Sequence, residues 1–130
     1  MKFLLRWGPA LVLMAVIFFF SSQPSSRLPD YGSLTNLAHK IAHLFEYALL
    51  GLALLRGLGR SDRTGYLLAL ALVVLYAASD EFHQSFVAGR GSKAADVLVD
   101  AAGCLVGFAL LQGWPWLRRL IFWFPGRSSL

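Results

Sequence analysis

The sequence predicts an all-α membrane protein, a four-helix transmembrane bundle with both termini in the cytoplasm and a C-terminal interfacial amphipathic helix. Apolar residues make up 57% of the 130 residues and charged residues only 15%, which is typical of a membrane protein. Four apolar runs of roughly 18 to 23 residues are long enough to cross the hydrocarbon core as helices. We expect one transmembrane domain over 1–113 and an interfacial tail over 114–130.

Turn-forming residues separate the four apolar runs. The predicted segments are 3–20, 36–58, 66–86 and 94–111. The residues that interrupt them are Pro24, Pro29, Asp30 and Gly32, then Gly57, Gly59 and Asp62, then Gly89 and Gly91. We expect Thr35 or Asn36 to cap the second helix. A signal peptide is the alternative for the first segment, but its end lacks a small-x-small cleavage pattern, so we expect it to remain as a helix.

The lysines and arginines predict the orientation of the bundle. With a cytoplasmic N-terminus, eight of the twelve lie on the cytoplasmic side, which agrees with the positive-inside rule. These are Lys2, Arg6, Arg56, Arg60, Arg63, Arg118, Arg119 and Arg127, against Arg27, Lys40, Arg90 and Lys93 outside. We therefore expect a multi-pass membrane protein with both termini in the cytoplasm.

Polar residues, all of them ionisable except Gln84, collect in three groups at the ends of the apolar runs. They are His39, Lys40, His43 and Glu46; Asp80, Glu81, His83 and Gln84; and Asp96 and Asp100. An ionisable group within a bilayer is costly and persists only where it is paired, hydrated or functional. The predicted orientation brings all three groups to the extracytoplasmic leaflet, so we expect one polar pocket, roofed by loop 21–35 and the turn that carries Arg90.

Helical phase, at about 100° per residue, predicts which side chains turn inward. The inward stripes are Asn36, His39, Lys40, His43, Glu46 and Tyr47; Tyr76, Ser79, Asp80 and His83; and Lys93, Asp96, Asp100, Gly103 and Gly107. Glu81 falls outside its stripe. Gly103 and Gly107 predict the close approach of a neighbouring helix backbone.

Composition argues against two other classes of function. The net charge is +5, but the basic residues lie between apolar runs and form no patch suited to nucleic acid. Anionic lipid headgroups are the better counter-charge. Cys104 is the single cysteine and lies inside an apolar run, so we expect a buried packing residue and no thiolate site within one chain.

At its polar motifs the chain resembles the VanZ-like family of small bacterial membrane proteins, over about residues 18–108. The motifs are Phe20-Ser21-Ser22-Gln23-Pro24; Lys40, His43, Glu46 and Tyr47; Asp80-Glu81-Phe82-His83-Gln84-Ser85-Phe86 followed by Gly89-Arg90; and Asp96, Asp100, Gly103 and Gly107. Two positions depart from the pattern, since Ala88 stands where many members have proline and Asp100 where many have asparagine.

The resemblance implies a role in the cell envelope and a link to antibiotic resistance. Founding members are associated with tolerance of glycopeptides of the teicoplanin type, which act where lipid-linked cell-wall precursors are exposed. It implies no agreed mechanism, so whether the chain is an enzyme stays open. The expected partners are membrane lipids and a lipid-linked precursor or other envelope glycolipid, and a homo-oligomer also remains open.

The residues themselves leave three interpretations of the pocket. It is a structural charge network that fixes helix register in a non-catalytic scaffold, or a site that acts on a lipid headgroup, or a divalent metal site. For acid–base chemistry the candidates are His43, Glu46, Asp80, His83, Asp96 and Asp100, and for ligand binding they are Lys40, Gln84 and Arg90.

The metal interpretation is the weakest of the three. It would use His39, His43, Asp80 and His83, but the spacing is common by chance and Lys40 in the same stripe would repel a cation, so no cofactor is predicted. A proton-coupled transporter subunit is an alternative from another class, because intramembrane carboxylates and histidines can form proton relays. The sequence shows no inverted repeat of the kind many transporters have.

The last segment has the composition of an interfacial helix. Aromatic residues surround Arg118 and Arg119, and Pro115 suits the first turn of a helix. The aromatic residues are Trp114, Trp116, Trp123 and Phe124. We expect an anchor at the cytoplasmic interface, with no catalytic role.

Overall fold

A computed structural model describes residues 2–24, 26, 32–91 and 93–123. Over these ranges the chain forms five helices and no strand. They are α1 (Lys2–Ser21), α2 (Ser33–Leu58), α3 (Arg63–Gln84), α4 (Ala94–Gly113) and α5 (Pro115–Ile121). The first four are long and apolar enough to cross a membrane, which confirms the predicted four-helix membrane bundle. Arg27, Pro29, Asp30, Phe124 and Arg127, which figured in the predictions, lie outside the described residues.

The helices alternate in direction, which gives the bundle two ends. We call the cavity end the one at which α1 and α3 end and α2 and α4 begin, and the basic end the opposite one. At the basic end, α5 starts at Pro115 directly after α4, and none of its residues is buried. Its place at a membrane interface stays a prediction.

The starts of α2 and α3 show two different forms of capping. The residue that caps α2 is Gly32, with φ of 63°, a conformation that glycine adopts readily, so the predicted Thr35 or Asn36 cap is wrong. The cap of α3 is Asp62, whose carboxylate accepts from the Gly65 N–H at 3.1 Å. The Arg60 guanidinium, 2.7 Å away, and this N–H lower the pKa of Asp62 to about 2.

Helix α2 lies at the centre of the bundle and contacts each of the other four helices. Its fully buried side chains include Tyr47, Leu50 and Leu55. On α1 most large apolar side chains are exposed, including Phe3, Val12 and Phe19. Such an apolar helix surface suits contact with the hydrocarbon of a membrane.

Small residues let α2 and α4 approach backbone to backbone. A Cβ added at Gly107 would lie 2.7 Å from the carbonyl oxygen of Ala48, and one added at Gly103 would collide with the Leu44 carbonyl. Between these contacts, a Cβ at Gly51 would lie 2.6 Å from the Cys104 Sγ. The predicted close approach at Gly103 and Gly107 is therefore confirmed, as is the burial of Cys104.

Arginines tie the helix ends together at the basic end. Because Pro9 has no N–H, the carbonyl of Leu5 loses its usual partner four residues later. Arg56 of α2 supplies donors instead, through Nε at 3.3 Å and Nη2 at 3.2 Å. In return, Arg6 of α1 donates to the carbonyl oxygen of Gly57 at 2.9 Å. These bonds hold the start of α1 against the end of α2.

Candidate functional site

An open cavity of about 1090 Å³ lies at the cavity end of the bundle. Its walls come from the start of α2, the end of α3, the start of α4 and the turn at Gly89–Gly91, with Ser26 and Gly32 from the preceding loop. The sequence-predicted site residues that line it are His39, Lys40, His43, Gln84, Arg90, Asp96 and Asp100. Residues 25 and 27–31 of the predicted roof lie outside the described part of the chain.

The cavity wall carries both signs of charge. Its cations are Lys40, Arg90 and Lys93, and its carboxylates are Glu81, Asp96 and Asp100. The side chains of Lys40 and Lys93 are exposed and form no ion pair with any described residue. The wall therefore offers ammonium groups that a ligand's anionic group could meet.

A mostly buried polar contact on the cavity wall joins α2 to α4. His43 Nδ1 lies 3.1 Å from Asp100 Oδ1, and the side chain of Asp100 is only 1% exposed against 18% for His43. Tyr47, one helical turn below, stacks on the His43 ring with centroids 6.1 Å apart. Asp100 thus serves as the hydrogen-bond partner of a histidine.

Two atoms beside this contact have no hydrogen bond among the described residues. They are Asp100 Oδ2 and the hydroxyl oxygen of Tyr47, and both are buried. An unsatisfied buried polar group costs about 1–3 kcal/mol. Residues whose arrangement lowers stability in this way commonly mark functional sites.

Asp80 belongs to a second polar group, outside the cavity wall. Its side chain is 3% exposed and accepts from Ser21 Oγ at 2.5 Å and Gln84 Nε2 at 2.9 Å. The Ser21 contact joins the last residue of α1 to α3. This arrangement satisfies a buried carboxylate and fixes α1, which is a structural role.

The remaining acid–base candidates also lie away from the cavity wall. His83 packs its ring on Phe18 of α1, with centroids 4.5 Å apart, and its Nδ1 is buried without a partner in the described chain. Glu46 is partly buried on α2. Of the six predicted acid–base residues, the structure therefore brings His43, Asp96 and Asp100 together at the cavity.

Arg90 reaches from the cavity turn to the end of α1. Its Nε donates to the carbonyl oxygen of Gln23 at 3.0 Å, and its Nη2 donates to that of Phe20 at 3.0 Å. The last carbonyls of a helix have no partner within the helix, so a guanidinium there serves as a cap. The predicted bidentate grip of Arg90 on a ligand would have to displace these bonds.

Glu81 is a cavity residue that sequence reasoning missed. It was expected to point elsewhere, yet it is buried, lines the cavity and accepts from the Lys93 N–H at 3.1 Å through Oε2. The signal was present in the small residues Ala69, Val73 and Ala77, all fully buried, which continue at a spacing of four to Glu81. These small residues predict the inward face of α3 better than the polar residues of the helix do, because one of those polar residues, Ser79, is exposed.

The proposed metal ligands do not come together. Among the residues that the structure describes, no three His, Cys, Asp or Glu side chains are placed to hold a metal ion. His39 and His43 line the cavity, whereas Asp80 and His83 lie outside its wall.

The comparisons with known proteins identify one family. A family model described as VanZ/LLP1 matches residues 7–118, which includes α2, α3, α4 and most of α1. No curated protein and no solved structure matches the chain. The family match confirms the resemblance seen in the polar motifs and agrees with four membrane-spanning helices. The chain is therefore a multi-pass membrane protein that belongs to the VanZ/LLP1 family.

Proposed function

We propose that this protein binds the phosphate-bearing headgroup of an envelope lipid in its open cavity, at the extracytoplasmic face of the bacterial plasma membrane. Lipid-linked cell-wall precursors are the ligands that would connect this binding to glycopeptide tolerance. The observation that carries the proposal is the cavity itself, whose wall presents Lys40 and Lys93 without an ion-pair partner in the described chain. Ammonium groups of this kind bind phosphate well.

Apolar surface beside the cavity supports a lipid over a water-soluble ligand. Several large side chains at the same helix ends are exposed, and they lie within a few residues of the cavity cations and carboxylates in sequence. They are Leu37, Ile41, Phe82, Phe86 and Leu98. A lipid could rest its acyl chains on this surface while its headgroup occupies the cavity, so one molecule would satisfy both features.

The distribution of basic residues supports the extracytoplasmic side. Eight of the twelve lysines and arginines fall at the basic end or in the tail that follows it, which the positive-inside rule assigns to the cytoplasm. The cavity end is then the end at which lipid-linked cell-wall precursors are displayed. Those precursors are also the molecules near which teicoplanin-type antibiotics act.

The scaffold interpretation accounts for part of the polar cluster. The bonds of Asp80 to Ser21 and Gln84, and those of Arg90 to the end of α1, satisfy groups of the protein itself. We therefore assign Asp80 and Arg90 to the framework and Lys40 and Lys93 to the ligand.

A pair of double variants tests the proposal. Lys40→Gln with Lys93→Gln removes two cavity cations, and Arg63→Gln with Arg119→Gln removes two exposed cations at the basic end. Lipids that remain bound after purification would be identified by native mass spectrometry, and affinity measured with a fluorescent anionic lipid in micelles. At about 1 kcal/mol for each basic residue, the cavity variant should bind about thirtyfold more weakly, and the control should bind as the wild type does.

The same variants connect binding to the cell. In a bacterial host at equal membrane abundance, the cavity variant should lose tolerance of a teicoplanin-type glycopeptide and the control should keep it. Equal lipid affinity in all three proteins would refute the proposed headgroup site. If the cavity variant loses lipid affinity but keeps glycopeptide tolerance, the headgroup site is supported and its connection to the antibiotic is refuted.

A further inference from the structure

The orientation of the His43 ring goes beyond what ligand binding requires. Its Nδ1 meets the buried Asp100 carboxylate at 3.1 Å, and the ring lies on the cavity wall. Its Nε2 is not among the buried unpartnered atoms and has no hydrogen bond to a described residue. A carboxylate can only accept a proton from Nδ1, which favours the tautomer with a lone pair on Nε2 in a ring that lines the cavity.

We propose that His43 is the general base of a hydrolytic reaction on the phosphate ester of the bound lipid headgroup, with Asp100 as its positioning residue. This inference rests on the proposed headgroup site. A buried carboxylate that fixes the tautomer of a histidine, whose other nitrogen meets the substrate, is the arrangement by which hydrolases on unrelated folds activate a nucleophile. Asp100 is suited to this role because it is both buried and bonded to the ring.

The reaction needs only water as a second reactant. His43 Nε2 takes a proton from a water molecule while the water oxygen forms a bond to phosphorus. The bond between phosphorus and the lipid oxygen breaks, and the leaving oxygen takes the proton back from the imidazolium. A lipid monophosphate yields phosphate and a lipid alcohol. In a lipid diphosphate the water attacks the terminal phosphorus, the bond to the bridging oxygen breaks in place of the bond to the lipid oxygen, and the products are phosphate and a lipid monophosphate. The enzyme then returns to its starting state.

The neighbours of His43 favour a phosphate ester over a carboxylic ester. Lys40 lies three residues earlier on the same face of α2, and Lys93 lies across the cavity at the start of α4. Cations near a phosphoryl group offset the charge on its oxygens, which otherwise repels the attacking water. A carboxylic ester carries no such charge and would have no need of them.

Charged groups surround the ring from every helix packed against it. His39 and Glu46 share α2 with His43, Asp80 belongs to α3, and Asp100 belongs to α4. Asp100 is the one described residue that forms a hydrogen bond to the ring. We accordingly assign the role of positioning the His43 ring to Asp100 alone.

The test is phosphate release by the purified full-length protein in micelles. The substrates are a short-chain phosphatidic acid and a polyprenyl diphosphate, and lipid binding is measured on the same samples. The wild type should release inorganic phosphate from at least one of them. His43→Ala should lower the rate by at least about 100-fold, with partial rescue by added imidazole, which a structural histidine would not show. The matched control His83→Ala, outside the cavity wall, should stay within about twofold of the wild type.

Two further variants keep the test decisive. His43→Gln can still donate to Asp100 but has no basic nitrogen, so it should fold and remain inactive if His43→Ala does not fold. Asp100→Asn should lower kcat and leave KM nearly unchanged, because the amide can donate to Nδ1 and so favour the tautomer that has no lone pair on Nε2, while the headgroup contacts stay the same. A wild type that binds lipid but releases no phosphate, or a rate independent of His43, would overturn the hydrolytic inference alone. A wild type that binds no lipid would overturn the headgroup site as well.

Discussion

The contact between α2 and α4 makes Gly107→Ala the most informative test of the fold. The new Cβ would lie 2.7 Å from the carbonyl oxygen of Ala48 and 3.2 Å from its Cα, whereas ordinary contacts begin at 3.4 Å. Both neighbouring atoms belong to the backbone, so no side-chain rotation relieves the contact. The helices must separate locally by about 0.7 Å, the difference between 3.4 and 2.7 Å.

The cost of that separation follows from how steeply packing energy falls with distance. A gap of 0.5–1 Å forfeits roughly a quarter to a half of each dispersion contact, and inserting a methyl group into a well-packed interior usually costs about 1–3 kcal/mol. We expect a loss of about 2 kcal/mol in the free energy of unfolding, equivalent to about thirtyfold in the folded-to-unfolded ratio.

The assay is unfolding in a titration of denaturing detergent, followed by circular dichroism and by maleimide labelling of Cys104. This cysteine is fully buried in the same interface, so its labelling should rise as the helices separate. Gly8→Ala is the control, because nothing lies within 4 Å of its added Cβ and alanine favours a helix. If the two variants unfold within about 0.5 kcal/mol of each other, a tolerance well below the expected loss, the proposed backbone contact is wrong.

Three further predictions concern the helix ends. Arg56→Gln should lower the free energy of unfolding by about 1 kcal/mol. In a Pro9→Ala background the loss should be smaller, because residue 9 regains the N–H that can donate to the Leu5 carbonyl. Additive effects of the two substitutions in a double-mutant cycle would contradict this explanation. Ser21→Ala should lower folded abundance by leaving the buried Asp80 carboxylate with one donor fewer, while Ser21→Thr should keep it; equal abundance of both variants would count against the bond. Asp62→Asn should lower the unfolding temperature by a constant amount above about pH 4. The difference in unfolding temperature between wild type and variant should vanish as the pH falls towards 2, because the pKa of Asp62 is lowered to about 2 and the carboxylate is then protonated. A difference that persists at pH 2 would exclude a role for the charge.

The transmembrane architecture was predictable because it depends on long stretches of composition. Four apolar runs predict four helices, and each predicted end lies within three residues of the observed one. The starts of α2 and α3 differ most, at Ser33 in place of Asn36 and at Arg63 in place of Tyr66. At the start of α2 the cap is Gly32, with φ of 63° and no side-chain hydrogen bond, so a search for a capping side chain at Thr35 or Asn36 places the start of this helix too late.

The site was predictable only in part, since the polar residues of a helix do not fix its rotation. Asp80 and Glu81 are adjacent and differ by about 100° in direction, yet both are buried, one against α1 and the other on the cavity wall. The role of Arg90 in holding the end of α1 could not be predicted from the sequence, for another reason. Its acceptors are carbonyls at the end of α1, and no side-chain pattern in the sequence encodes a contact with backbone atoms so far away along the chain.

The attachment of α1 decides how mutations at the cavity end should be interpreted. At this end α1 is held by the Ser21–Asp80 bond and by the bonds that Arg90 donates to its last carbonyls, and no residue of α1 lines the cavity. Substitution of Asp80 or Arg90 should therefore detach the end of α1 and lower membrane abundance while the cavity walls from α2 and α4 stay together. Loss of tolerance in such variants would report on assembly, because the framework and the ligand site are separate sets of residues. Lys40, Lys93 and His43 lie on the cavity wall and carry donors or acceptors that no described residue uses, so loss of function at normal abundance in those variants is the result that would establish a working site.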